Sequence, residues 1–182
     1  MEALEILQEK GKIRAGAVSN YSVDLMSEAN KTFTIASNQM PYSMVNRGIE
    51  NDIIPYCLSN NIGILAYSPL QRGLLTGKIK QGHKFEDGDS RPDSIYYKEP
   101  NLTGILQFTD SIKEMANDLK VTLSQLVLNW TILQPGITCA LVGARNAAQV
   151  LDNVKAADFR LTPVEINMIN NLLSDLKLET KI

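Results

Sequence analysis

Apolar positions along the chain follow two alternating rhythms. Helical spacing, with apolar residues three and four apart, runs over residues 2–8, where Gly11 offers a C-cap, and over 23–29, where Ser22 offers an N-cap. It recurs over 50–60, 106–119, 123–133 and 147–156. Between these lie short, almost continuously apolar runs at 13–18, 32–37, 62–67 and 137–142. Each run ends in polar or turn-forming residues: Ser19-Asn20, Asn38-Gln39 before Pro41, Ser68-Pro69, and Gly143. Short apolar strands alternating with helices predict a parallel sheet buried on both faces. In an α/β barrel the strand ends would form the face that carries active sites. Four units are too few for a closed barrel of eight, so the pattern alone also admits a small open α/β sheet.

One stretch breaks the rhythm. Residues 78–100, KIKQGHKFEDGDSRPDSIYYKEP, are polar and aperiodic, and a loop of that length in a compact domain is usually functional or disordered. Its place after the third strand predicts a loop over the site face.

Composition narrows the class. A length of 182 residues suits one domain, 1–182. A net charge of −2 with scattered Lys and Arg argues against a nucleic-acid or membrane-surface partner. No apolar run reaches the roughly 18 residues of a membrane span, and the acidic start is unlike a signal peptide. Cys57 and Cys139, far apart in the sequence, predict two free thiols and a cytoplasmic setting. With His83 the sole histidine, no zinc or other metal site is expected.

Candidate chemistry gathers at the strand ends. After the fourth strand comes GARNAAQVLDN, residues 143–153. A helix N-terminus presents unpaired N–H groups to an anion, and Arg145 adds a guanidinium that matches phosphate. At i+4 and i+8, Gln149 and Asn153 would share a helical stripe with it, although a solvated helix start accounts for the same residues. In AYSPLQRGLLTGK, residues 66–78, Tyr67 offers a flat ring for stacking, with Arg72 and Lys78 nearby as cations. A plain turn holding a half-buried Tyr fits that segment equally well. Ser19-Asn20 and Asn38-Gln39 could pair with a carboxamide or serve as caps and turns. No acid/base pair stands at a strand end, and His83 lies in the polar loop.

Taken together, EKGKIRAGAVSN (9–20), ASNQMPYSM (36–44), GILAYSPLQRGLLTGK (63–78), LSQLVLNW (123–130) and VGARNAAQVLDN (142–153) resemble the aldo-keto reductases. The nearest likeness is to the bacterial and potassium-channel β-subunit-like branch. The resemblance implies an α/β fold, a partial (β/α)8 TIM barrel of roughly strands 5 to 8 with their helices. It implies NADP(H) as cofactor, with Ser19, Asn20 and Gln39 holding the nicotinamide carboxamide and Tyr67 stacking on the ring. Ser68, Pro69, Leu70, Arg72 and Lys78 would lie along the pyrophosphate. Gly143 and Arg145 would meet the 2′-phosphate, with Gln149, Asp152 and Asn153 near the adenosine. Arg145, with no acidic residue at that point, favours NADP over NAD. The family reduces aldehydes and ketones using an Asp, Tyr, Lys and His from the first half of its barrel. By this likeness the chain keeps only the C-terminal half, holds no catalytic residue and is inactive alone. It is then a truncated reductase, a non-catalytic NADP(H)-binding or assembly module, or a structural remnant. Open barrel edges predict self-association, or complementation by an N-terminal half.

Overall fold

The computed structural model describes residues 1–179; the last three residues of the expected 1–182 domain lie outside them. The chain forms two compact units, one of Met1–Ser68 with Ile132–Leu141, the other of Pro69–Thr131 with the chain from Val142 onward.

The first unit is built on a four-stranded, wholly parallel sheet in sequence order: β1 (Gly16–Ser19), β2 (Ile35–Pro41), β3 (Gly63–Tyr67) and β4 (Ile137–Leu141). Helices α1 (Glu2–Glu9), α2 (Val23–Ala29) and α3 (Ile53–Ser59) belong to it. Sequence chemistry explains their limits. The Ser22 hydroxyl accepts from the Leu25 N–H at 3.3 Å and starts α2, and the Asp52 carboxylate does the same for Ile53 at α3. Met26, Ile35, Ile64, Ala66 and Cys57 are buried together with Phe33, which lies against Gly16. A Cβ at Gly16 would stand 2.5 Å from the Phe33 ring, so only glycine lets that ring sit there.

Two expectations are corrected here. The second strand is not 32–37 but Ile35–Pro41, so Asn38 and Gln39 lie within it. The Asn30 side chain accepts from the Ile35 N–H at 2.9 Å and holds the preceding residues in a turn. Asn38, which read as a strand end because it is polar, is fully buried, its amide donating to the Tyr21 carbonyl at 2.9 Å. The sheet is also covered on one face, not two. Ser19, Gln39, Leu65 and Cys139 stand in register across the four strands, and all are exposed or half-exposed. Ser37 and Gln39, two apart in β2, already carried that alternation.

The second unit is helical. It holds α4 (Asn101–Ser111), α5 (Lys113–Asp118), α6 (Leu123–Ile132), α7 (Ala147–Val154) and α8 (Pro163–Asp175). The single helix expected over 106–119 is thus two, starting earlier and broken at Ile112. Helix α6 is buried nearly all round, and its buried polar groups are paired. Asn129 donates to the Ala156 and Phe159 carbonyls and accepts from the Leu161 N–H, while the Trp130 indole donates to Asn170. Helix α8 has no counterpart in the sequence reading, though its signal was present. Thr162, Pro163 and Glu165 make a capping box with proline in the first turn. Helix α7 buries none of its residues, leaving Val150, Leu151 and Val154 50 to 67% exposed. Among the described residues no helix is long and apolar enough to cross a membrane. Both cysteines are free thiols, and burial pushes the Cys57 thiol up to about 11.

Candidate functional site

In the first unit the C-terminal strand ends bring four of the candidate residues together. The parallel ladder sets Ser19 beside Gln39 and Pro41 beside Tyr67. Beyond the end of β1, Asn20 turns into the left-handed region (φ 58°) while its N–H still donates to the Gln39 carbonyl at 3.0 Å. Asparagine tolerates that conformation better than most residues. The Ser19 hydroxyl donates to the same carbonyl at 3.1 Å. The Tyr67 hydroxyl then donates to Asn20 Oδ1 at 3.0 Å, spanning β1 to β3 over the end of β2. These bonds use the oxygen of the Asn20 side chain and leave its NH2 group without a protein partner among the described residues, as is the whole Gln39 carboxamide. One donor and one donor–acceptor amide at adjacent strand ends are the set that a carboxamide needs. Ser68 follows with a positive φ of 56°, turning the chain out of the strand.

The second unit holds the remaining candidates. Pro69 is buried and Leu70 half-buried at the start of a tight turn over Gln71–Thr76, where Gln71, Arg72 and Gly73 all have positive φ. The Arg72 guanidinium donates to Ser90 Oγ at 2.7 Å and to the Ser90 carbonyl at 3.3 Å. The Tyr97 hydroxyl donates to the carbonyls of Gln71 and Arg72 at 3.2 and 3.0 Å. The long polar segment is therefore tied to this turn at two points. It is also packed on itself, with Asp89 paired to Arg91, Arg91 lying over Phe85, and Phe85 edge-on to the buried Tyr97. Hydrogen bonds from the Arg91 side chain and backbone hold the Asp89 carboxyl down at about 2. Ser90 and Tyr97, which sequence reasoning passed over, thus contact a candidate phosphate turn. His83, edge-on to Phe85, contacts no carboxylate among the described residues. Lys78 is exposed, its N–H donating to Thr76.

At the other candidate segment the helix starts where expected but the stripe does not form. Asn146 is the N-cap, its side chain accepting from the Gln149 N–H at 3.0 Å. Arg145 therefore precedes the helix, so helical spacing does not govern it. The Gln149 side chain accepts from the Arg145 N–H at 2.7 Å, which directs it back over the helix start. The Arg145 guanidinium is exposed and meets no protein partner among the described residues. Gly143 stands in open space. The Asp152 carboxylate accepts from Gln125 at 2.7 Å and from Thr122 at 3.3 Å, tying α7 to the start of α6, while Asn153 is half-buried.

The Aldo/keto reductase family model matches residues 1–174. The chain is 28% identical over 174 residues to the NADH-specific methylglyoxal reductase of Escherichia coli, covering 96% of this chain and 53% of that protein. It is 29% identical over 172 residues to the NADP(+) aldo-keto reductase yakc of Schizosaccharomyces pombe, covering 93% and 51%. In structure it matches the glycerol dehydrogenase AKR11B4 of Gluconobacter oxydans with a TM-score of 0.90 at 30% identity, over all of this chain and 56% of that one. The chain spans about half the length of the curated relatives it matches. An α/β fold on a parallel four-stranded sheet, its strand ends lined with amides and an aromatic ring, agrees with the family match: the chain belongs to the aldo/keto reductase family.

Proposed function

We propose that this chain is the dinucleotide-facing part of an NADP(H)-dependent carbonyl reductase, equivalent to strands 5 to 8 of a (β/α)8 barrel. The observation that carries the reading is the row of strand ends in the first unit, where Asn20 and Gln39 offer unpaired amide groups beside the Tyr67 ring. These groups suit a nicotinamide carboxamide and a flat ring, and they are held by bonds already made. By the family likeness Arg145 would meet the 2′-phosphate, and Arg72, Lys78 and the turn after Ser68 the pyrophosphate. Arg145 is the reason for preferring NADP(H), although one relative is NADH-specific by name. Bound NADP(H) would supply the hydride.

In this reading the proton donor lies outside the chain. Tyr42 donates to Glu50, Tyr67 to Asn20, and Tyr97 to two backbone carbonyls, so each of these three hydroxyls already has an acceptor. An N-terminal half, or a second copy, would cover the outer edges of β1 and β4 and the apolar residues of α7. Titration with NADPH and NADH, followed by an aldehyde-reduction assay on the purified chain, tests the proposal. The expected result is binding that favours NADPH, without turnover. Failure to bind either nucleotide overturns the reading, and turnover by the chain alone overturns the placement of the proton donor.

A further inference from the structure

Just beyond β2, Tyr42 does two things at once. Its backbone N–H donates to the Tyr67 carbonyl at 3.1 Å, adding a rung to the ladder at the end of β3. Its side chain is buried, with the hydroxyl donating to Glu50 Oε1 at 2.7 Å. The same carboxylate oxygen accepts from Arg47 Nε at 2.7 Å. Between them, Ser43 and Asn46 exchange backbone hydrogen bonds, and the Ser43 hydroxyl accepts from the Asn46 N–H, closing a tight turn. Tyr67 is thus gripped at both ends, its carbonyl by Tyr42 and its hydroxyl by Asn20.

A phenol buried beside a carboxylate resists ionisation. Burial first, and then the bond to Glu50, push the Tyr42 hydroxyl far above the ordinary tyrosine range, so it stays a donor at any working pH. Arg47 offsets the charge that Glu50 would otherwise carry half-buried. This half-buried pair ties the Tyr42 hydroxyl across the turn, and the peptide that grips Tyr67 belongs to the same turn.

We propose that Tyr42, Arg47 and Glu50 are positioning residues for the Tyr67 ring, and through it set how tightly the nicotinamide end of the cofactor is held. The inference rests on the dinucleotide reading above. Its test compares Tyr42→Phe with the unaltered chain by titration with reduced nicotinamide mononucleotide, NADPH and 2′,5′-ADP, together with the emission of bound NADPH. Loss of the hydroxyl should weaken the first two ligands about two- to three-fold, part of what one aromatic stacking contact contributes. NADPH emission should move toward that of the free nucleotide, and 2′,5′-ADP binding should not change. Glu50→Gln, which keeps an acceptor for both donors, should retain most of the affinity and the emission. Equal loss for all three ligands would assign the group to general folding and overturn the proposal, as would failure of both variants to fold. No change in any ligand overturns it while leaving the dinucleotide reading intact. If the unaltered chain binds none of the three, both fall together.

Discussion

The candidate residues of the two units differ in chemistry. In the first, the candidate residues are neutral, lie at the ends of adjacent parallel strands, and are aligned by register and by bonds among themselves. In the second they include the cations Arg72, Lys78 and Arg145, lie on turns and in or just before a helix, and several are exposed. A carboxamide must be met by a donor and an acceptor at fixed angles, which demands a rigid frame. A phosphate can be met by a guanidinium at the end of a long side chain, because the attraction tolerates small displacements. Recognition by geometry belongs on a sheet; recognition by charge can live on a loop.

The largest expected effect belongs to the helical packing on which the second unit depends. Trp130 is fully buried and bonded to Asn170, so Trp130→Ala should cost about 3–5 kcal/mol in urea unfolding. A loss well below that range would mean that α6 is not what orders the unit. Next come the two modes of recognition. Arg145→Ala should weaken NADPH about 10- to 100-fold and leave NADH unchanged, as loss of a charged phosphate contact predicts. Tyr67→Ala should weaken reduced nicotinamide mononucleotide only about two- to ten-fold and leave 2′,5′-ADP alone. Should Arg145→Ala weaken NADH as much as NADPH, the assignment of charge to the 2′-phosphate is wrong.

The smallest effect concerns pH. Asp89 has its carboxyl lowered to about 2 from an ordinary 3.8, chiefly by its bonds to Arg91. A lowered value means that the folded state favours the charged form. Whatever Asp89 adds to stability is therefore complete above about pH 4 and disappears as the pH falls toward 2. Carboxyl titration by NMR should place Asp89 well below other aspartates, and Arg91→Ala should return it to the ordinary range. An unshifted Asp89 would show that the polar segment is not held by this pair.

Much of the frame was legible beforehand, for reasons that can be named. Residues 23–29 were readable as a helix because Ser22 is a cap and the apolar spacing is local, and the structure starts and ends α2 there. The strand at 62–67 was readable because five apolar residues precede a Ser-Pro stop, and β3 is Gly63–Tyr67. The second strand was misplaced because a polar Asn38 looks like an ending unless one knows that Tyr21 waits to accept its amide. The Arg145-Gln149-Asn153 stripe failed for a related reason. Spacing says which residues share a face only if all of them are helical, and Asn146 caps the helix, which leaves Arg145 before it. Helix α8 was missed outright, although Thr162-Pro163-Val164-Glu165 announces it locally.

What the sequence by itself determined is the set of groups available: amides and an aromatic ring at strand ends, and Arg145, Arg72 and Lys78 after them. Those identities, and the local rules that cap helices and stop strands, are enough to fix the fold class and the family likeness. Only the tertiary structure decided which atoms remain open to a ligand. Tyr67 takes the Asn20 oxygen and leaves its NH2; Ser90 takes two of the five Arg72 N–H groups and leaves the rest; Thr122 and Gln125 take Asp152; Arg145 is left exposed. The reason is that a hydrogen-bonding group is defined by its partners, and these partners lie 18, 27, 30 and 47 residues away along the chain.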